Sequence, residues 1–127
     1  MAFKAVWSAG APKPIGPYTP GIDTGAFVFV SGQVGIDPTT GELVEGGVEA
    51  QAEQVMKNVA GILAAAGLTW ANVAKTTCFL ADIADFAKFN EVYTRHMGDL
   101  PPARSTYAVA ALPRGARVEV EAIAVRS

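Results

Sequence analysis

Arg117-Val118-Glu119-Val120-Glu121-Ala122-Ile123-Ala124-Val125, near the end of the chain, reads as a strand with two unlike faces. Successive side chains of a strand point to opposite sides. Val118, Val120, Ala122 and Ala124 therefore share one face, and Arg117, Glu119 and Glu121 share the other. Upstream, Pro101-Pro102-Ala103-Arg104-Ser105 is a proline-stiffened, extended stretch. It leads into a strand over about residues 104–110, joined to the last one by Leu112-Pro113-Arg114-Gly115. The last strand is expected to return beside Arg104. An arginine can grip a planar anion through two parallel hydrogen bonds, which a lysine cannot do. Glu119 can hold or deprotonate a water. The pair amounts to a minimal hydrolytic site needing no metal and no nucleophile; the plainer reading is a cross-strand ion pair.

Further back, Asp82 has the chemistry of an N-cap for a helix over 83–97, with Asp85 in its first turn and Gly98 beyond its end. Phe86, Phe89, Tyr93 and Met97 form its apolar stripe. Residues 73–81 are β-branched and apolar, a strand. The clearest helix covers 48–66, where Ala52, Val55, Met56, Val59, Ile62, Leu63 and Ala66 recur at spacings of three and four. Gly67 stands where a left-handed cap is expected, with Leu68 folding back on the last turn. Ala26-Phe-Val-Phe-Val-Ser31 reads as a buried strand. Asp37-Pro38-Thr39-Thr40-Gly41 has turn chemistry between arms at 34–36 and 42–44. Residues 11–21 form a loop stiffened by Pro12, Pro14, Pro17 and Pro20, which restricts Tyr18. The order predicts an α+β fold: a mixed sheet with two helices on one face, in one domain over residues 1–127.

Composition narrows the function classes. Hydrophobic residues make up 50% and charged residues 17%, against a usual charged share of about 25%. So few charges leave apolar surface for other subunits to cover. A net charge of −2 with Lys and Arg scattered singly argues against a dedicated nucleic-acid binder. The lone cysteine excludes an internal disulfide and a multi-cysteine zinc site. No signal peptide is expected, and no run of about 18 apolar residues would span a membrane. The expected compartment is the cytoplasm.

Other candidates each have a plainer reading. Cys78 sits among apolar neighbours and reads as core. His96 ends the second helix, where a cation suits the dipole, and lacks companions for a metal site. Ser31-Gly32-Gln33-Val34-Gly35 is not a phosphate loop, because no GK[ST] follows. Asn90 interrupts the apolar stripe; it either ties the helix to a strand or faces a cleft. Tyr18 packs its loop or walls a small-molecule pocket.

Ile15-Gly16-Pro17-Tyr18, Ser31-Gly32-Gln33, Lys75-Thr76-Thr77, Phe89-Asn90, Pro102-Ala103-Arg104-Ser105 and Val118-Glu119-Val120-Glu121-Ala122-Ile123-Ala124 occur in the same order in the RidA family. These are the reactive intermediate deaminases, or 2-iminobutanoate/2-iminopropanoate deaminases, and the chain resembles them over nearly its whole length. The resemblance implies a homotrimer of chorismate-mutase-like fold with active sites between subunits and no cofactor or metal. It implies hydrolysis of 2-imino acids, tautomers of enamines released by pyridoxal-phosphate dehydratases, to 2-keto acids and ammonia. Arg104 would bind the substrate carboxylate. Glu119 would position the attacking water with the backbone carbonyl of Thr106, and Tyr18, Ser31 and Asn90 would line the cleft. Familiar bacterial members carry cysteine where this chain has Thr106, and have a longer stretch between Asn90 and Arg104. A backbone role at Thr106 survives the first difference; the second bears on preference among imines. Two other readings use the same features: a metabolite-binding or chaperone-like trimer, in which Glu119 is dispensable, and a ribonuclease or translation inhibitor.

Overall fold

The computed structural model describes residues 2–126. Six strands form one sheet: β1 (Lys4–Val6), β2 (Gly21–Asp23), β3 (Phe27–Val34), β4 (Val73–Leu80), β5 (Ala103–Ala108) and β6 (Val118–Val125). Their spatial order is β1-β2-β3-β6-β4-β5, antiparallel throughout except for the parallel pair β4–β5. Two helices, α1 (Gly47–Ala65) and α2 (Phe86–Arg95), pack against each other, and α1 also packs on β3 and β6. The α+β expectation with both helices on one face is met. Val118, Val120, Ala122 and Ala124 of β6 are all buried, under α1 together with Val28 and Val30, and under α2 together with Cys78 and Leu80. The opposite face is open: Phe27, Phe29, Tyr107 and Val125 remain exposed.

α1 ends as the sequence predicts. Gly67 takes a left-handed φ of 78°, Leu68 donates its N–H to the Leu63 carbonyl at 2.9 Å, and its side chain is buried. The second helix is shorter than the expected 83–97. Asp82 caps a separate 3-10 turn over Ile83–Asp85, its Oδ1 accepting from the Ala84 N–H at 2.9 Å. Buried Asp85 is bound at 2.9 Å by Arg117, which pins that turn to the start of β6 before the α-helix begins. At the other end the helix closes with turn bonds from His96 and Met97, and His96 Nε2 lies 2.9 Å from the Glu53 carboxylate of α1. Gly98 is not the stop. The strand expected at 26–31 runs on to Val34, and the arms at 34–36 and 42–44 are joined by a single bridge, Ile36 with Leu43. β1 and β2 are additions to the predicted elements. Each is three residues long, too short to show a period.

β3 carries a bulge. Val30 pairs with Ala122 but Gln33 pairs with Val120, so one extra residue stands in β3 around Ser31-Gly32. A buried amide holds the end of this strand. Asn58 of α1, 0% exposed, donates to the carbonyls of Val34 (3.1 Å) and Ile36 (2.9 Å), and its Oδ1 accepts from Gln54 Nε2 (2.8 Å). Asn58→Leu should therefore lower unfolding stability by about 3 kcal/mol, because two carbonyls and an amide lose their partner out of water. Urea denaturation at neutral pH measures it, and a loss under about 0.5 kcal/mol would show that this strand end is held by packing alone.

Candidate active site

Glu119 owes its position to the parity of β6: with Val118 and Val120 beneath the helices, its side chain must leave on the open face. There it meets the bulge. A Cβ on Gly32 would overlap the Glu119 carboxylate, so the missing side chain is what admits it. The two residues share a cavity of about 200 Å³ with Tyr18, Ser31, Gln33 and Pro113. Burial, and secondarily the Glu121 charge, hold the Glu119 carboxyl above the ordinary glutamate value. Among the described residues no cation pairs with it.

Ser31 is a brace as much as a lining residue. Its hydroxyl donates to the Thr19 carbonyl at 2.6 Å and its N–H to that of Pro20 at 2.9 Å, fastening the proline-rich loop to the bulge. Within that loop the Tyr18 hydroxyl accepts from the Ile15 N–H at 3.3 Å. The phenol, 41% exposed, thus stands as a tethered wall at the cavity rim.

Arg104 lies elsewhere. It pairs in register with Thr76 of β4, and Thr76 is buried on the helix face with its Oγ1 2.7 Å from the Tyr93 hydroxyl of α2. The guanidinium of Arg104 sits over the rings of Tyr93, Phe86 and Phe89. Nearby in the fold, Asn90 on α2 and Thr106 on β5 each bury a side-chain oxygen with no hydrogen-bond partner. Asn90 therefore does not tie the helix to a strand through its Oδ1.

The strand of Glu119 does not return beside Arg104. β4 stands between β5 and β6, Arg104 is level with Thr76 while Glu119 is level with Phe79, and the two side chains leave opposite faces. The cross-strand ion pair falls with that expectation. One chain thus carries two separate clusters: Tyr18, Ser31 and Glu119 on the open face, and Asn90, Arg104 and Thr106 by α2. Cys78 is core, its thiol pushed up to about 11 by burial. The described residues hold no group of His, Cys, Asp and Glu able to take a metal, and none of their helices is long and apolar enough to cross a membrane. The sequence reading passed over Gly32 as a space-maker and Pro113 as a wall. A glycine inside a strand was the available signal for a bulge.

Known proteins resemble this chain in sequence and fold. The family model described as Endoribonuclease L-PSP matches residues 8–126. Protein DfrA of Myxococcus xanthus is 53% identical, over 98% of this chain and 97% of its own. The 2-iminobutanoate/2-iminopropanoate deaminase of Mus musculus is 50% identical, over 97% of this chain and 91% of its own. The crystal structure of RidA from the Antarctic bacterium Psychrobacter superposes with a TM-score of 0.94 at 41% identity, over 97% of this chain and 99% of its own. With sequence, strand order and helix placement all in agreement, the chain belongs to the RidA family, the group that the Endoribonuclease L-PSP model describes.

Proposed function

We propose that this chain is a cofactor-independent 2-imino acid deaminase that works as a homotrimer. The Arg104 cluster of one protomer then faces the Glu119 cluster of the next. The observation that carries the reading is the separation of the two clusters: each is chemically half a site, and among the described residues neither Arg104 nor Glu119 has a salt-bridge partner. The exposed Phe27, Phe29, Tyr107 and Val125 supply an apolar face for a neighbouring copy to cover. The name of the mouse relative, at 50% identity, supplies the substrate class.

The chemistry follows from the groups. A protonated imine, R–C(=NH2⁺)–COO⁻, is electrophilic at C2 without a metal. Arg104 takes its carboxylate through two N–H groups and so fixes the face of C2 that water approaches. Glu119 accepts a proton as the water oxygen bonds to C2, and the C=N π pair moves to nitrogen. Glu119 then returns that proton to the nitrogen. As the C–N bond breaks with its electron pair going to ammonia, the remaining hydroxyl proton passes to Glu119 and on to the ammonia, which leaves as ammonium, and the oxygen keeps the C=O of the 2-keto acid. The water contributes its oxygen, and no electrons are gained or lost overall. A raised carboxyl suits this exchange, since it is a stronger base than an ordinary glutamate and holds the transferred proton more firmly. In this reading the Thr106 carbonyl assists at the water, Asn90, Ser31 and Tyr18 bound the cleft, and residues 1–127 act as one domain. A cytoplasmic place fits substrates released by pyridoxal-phosphate enzymes. The endoribonuclease in the family description is disfavoured here by a net charge of −2 and the lack of a basic run to neutralise phosphates.

Several measurements bear on this. Light scattering should give the mass of three chains; a stable, active monomer would end the shared-cleft reading. Arg104→Lys should be nearly as damaging as Arg104→Ala in imine turnover coupled to a threonine dehydratase, since a point charge does not reproduce the fork. Glu119→Gln should lose on the order of 10²–10⁴-fold in turnover yet still bind 2-oxobutanoate, whereas wild-type turnover would favour a binding trimer instead. The pH profile gives an independent check. Because the base must be ionised and burial raises its pKa, kcat/KM should fall on the acid side with a midpoint above the ordinary glutamate value. That limb should vanish in the residual activity of Glu119→Gln.

A further inference from the structure

Arg104 is held differently from Arg117 and Arg126. Arg117 reaches the Asp85 carboxylate at 2.9 Å and Arg126 reaches Asp23 at 2.6 Å. Arg104 has no carboxylate within reach among the described residues. Its guanidinium carbon lies instead 4.7 Å from the ring centre of Tyr93, and 5.6 Å from those of Phe86 and Phe89. The difference is chemical. A carboxylate holds a guanidinium by filling its N–H fork, whereas a ring face attracts the cation through π electrons and uses none of the five N–H donors.

The nearest ring is itself fixed. The Tyr93 hydroxyl and Thr76 Oγ1 are 2.7 Å apart, Thr76 is 0% exposed, and Thr76 is the residue paired with Arg104 across β4–β5. The ring is therefore referenced to the same strand pair that carries the Arg104 backbone. A closed circuit results: Arg104 backbone, Thr76, Tyr93 ring, Arg104 guanidinium. No hydrogen bond of this kind is open to Phe86 or Phe89, which have no polar side-chain atom.

We propose that Tyr93, locked by Thr76, is a positioning residue that aims the Arg104 guanidinium while leaving its hydrogen-bonding fork free for the carboxylate of the 2-imino acid. The inference rests on the reading that Arg104 binds that carboxylate. A mis-aimed fork weakens capture of the substrate before it slows the chemistry, so the effect falls on KM more than on kcat.

The test measures 2-oxobutanoate affinity, together with KM and kcat for imine turnover, in full-length Tyr93→Leu, Tyr93→Phe and Arg104→Ala. Tyr93→Leu should weaken 2-oxobutanoate binding and raise KM on the order of ten-fold with a smaller change in kcat. Tyr93→Phe, which keeps the ring but loses the hydroxyl, should show a several-fold weakening, and adding Thr76→Val to it should cause no more. A purely structural role would lower thermal stability and the active fraction while leaving the affinity of folded protein unchanged. Should Tyr93→Leu fail to fold, Tyr93→Phe decides, and wild-type affinity there overturns the proposal. Wild-type affinity in both Tyr93 variants, with binding abolished in Arg104→Ala, overturns it while leaving the role of Arg104 intact. Wild-type affinity in Arg104→Ala removes the carboxylate reading itself, whatever the Tyr93 variants do.

Discussion

β6 lies between β3 and β4, and its alternate residues Val118, Val120, Ala122 and Ala124 are sealed beneath both helices. A strand bounded on both sides cannot slip its register without turning its whole apolar set to solvent. Fixing that register fixes the exit of Glu119 to the other face, with no specific interaction needed at Glu119 itself. The same sheet carries Thr76, Cys78 and Leu80 of β4 toward the helices. Parallel pairing then hands that facing on to β5, so that Arg104 leaves toward α2. The two chemical groups are placed by hydrophobic burial elsewhere, and they are placed apart.

Around Glu119 the backbone is irregular where the rest of the sheet is regular. The bulge at Ser31-Gly32 bends β3, the absent Cβ of Gly32 admits the carboxylate, and Ser31 clamps the Tyr18 loop over the gap. Bulges leave backbone groups unpaired and are costly unless something takes them up. Here the Ser31 N–H donates to the Pro20 carbonyl at 2.9 Å and the Ser31 carbonyl accepts from Gln33 Nε2 at 3.3 Å, while Asn58 from the helix layer holds the carbonyls of Val34 and Ile36, which both border the cavity. Gly35 belongs to the same device. A Cβ there would come within 2.8 Å of the Gln51 backbone, so its bareness lets α1 approach close enough for Asn58 to reach.

Periodicity made most of this legible. The alternation in β6 and the spacing of α1 were long enough to define a face, and Gly67 marked the end of α1 where the helix stops. The short strands β1 and β2 were not legible, because three residues carry no period. The 3-10 turn before α2 depended on Asp85 meeting Arg117, a contact between residues far apart in sequence. Arg104 and Glu119 were recognisable as chemistry, but their separation was not. Proximity in sequence suggested neighbouring strands, and only the insertion of β4 between β5 and β6 reversed it. Tyr93 was legible as part of an apolar stripe; that it turns a ring face to Arg104 depends on a hydroxyl partner from another element.

The opposite-face arrangement has a consequence for inheritance. In the proposed trimer, a chain lacking Arg104 still brings an intact Glu119 cluster, and a chain lacking Glu119 still brings an intact Arg104 cluster. Mixed assemblies of two such defective chains would contain some clefts with both groups sound. Two inactive alleles could thus complement each other within one complex, while a single defective chain would impair only one of the two clefts it shares with healthy neighbours. In such a trimer the unit on which selection acts would be the contact between chains, and changes to that contact would carry the cost of changes to an active site.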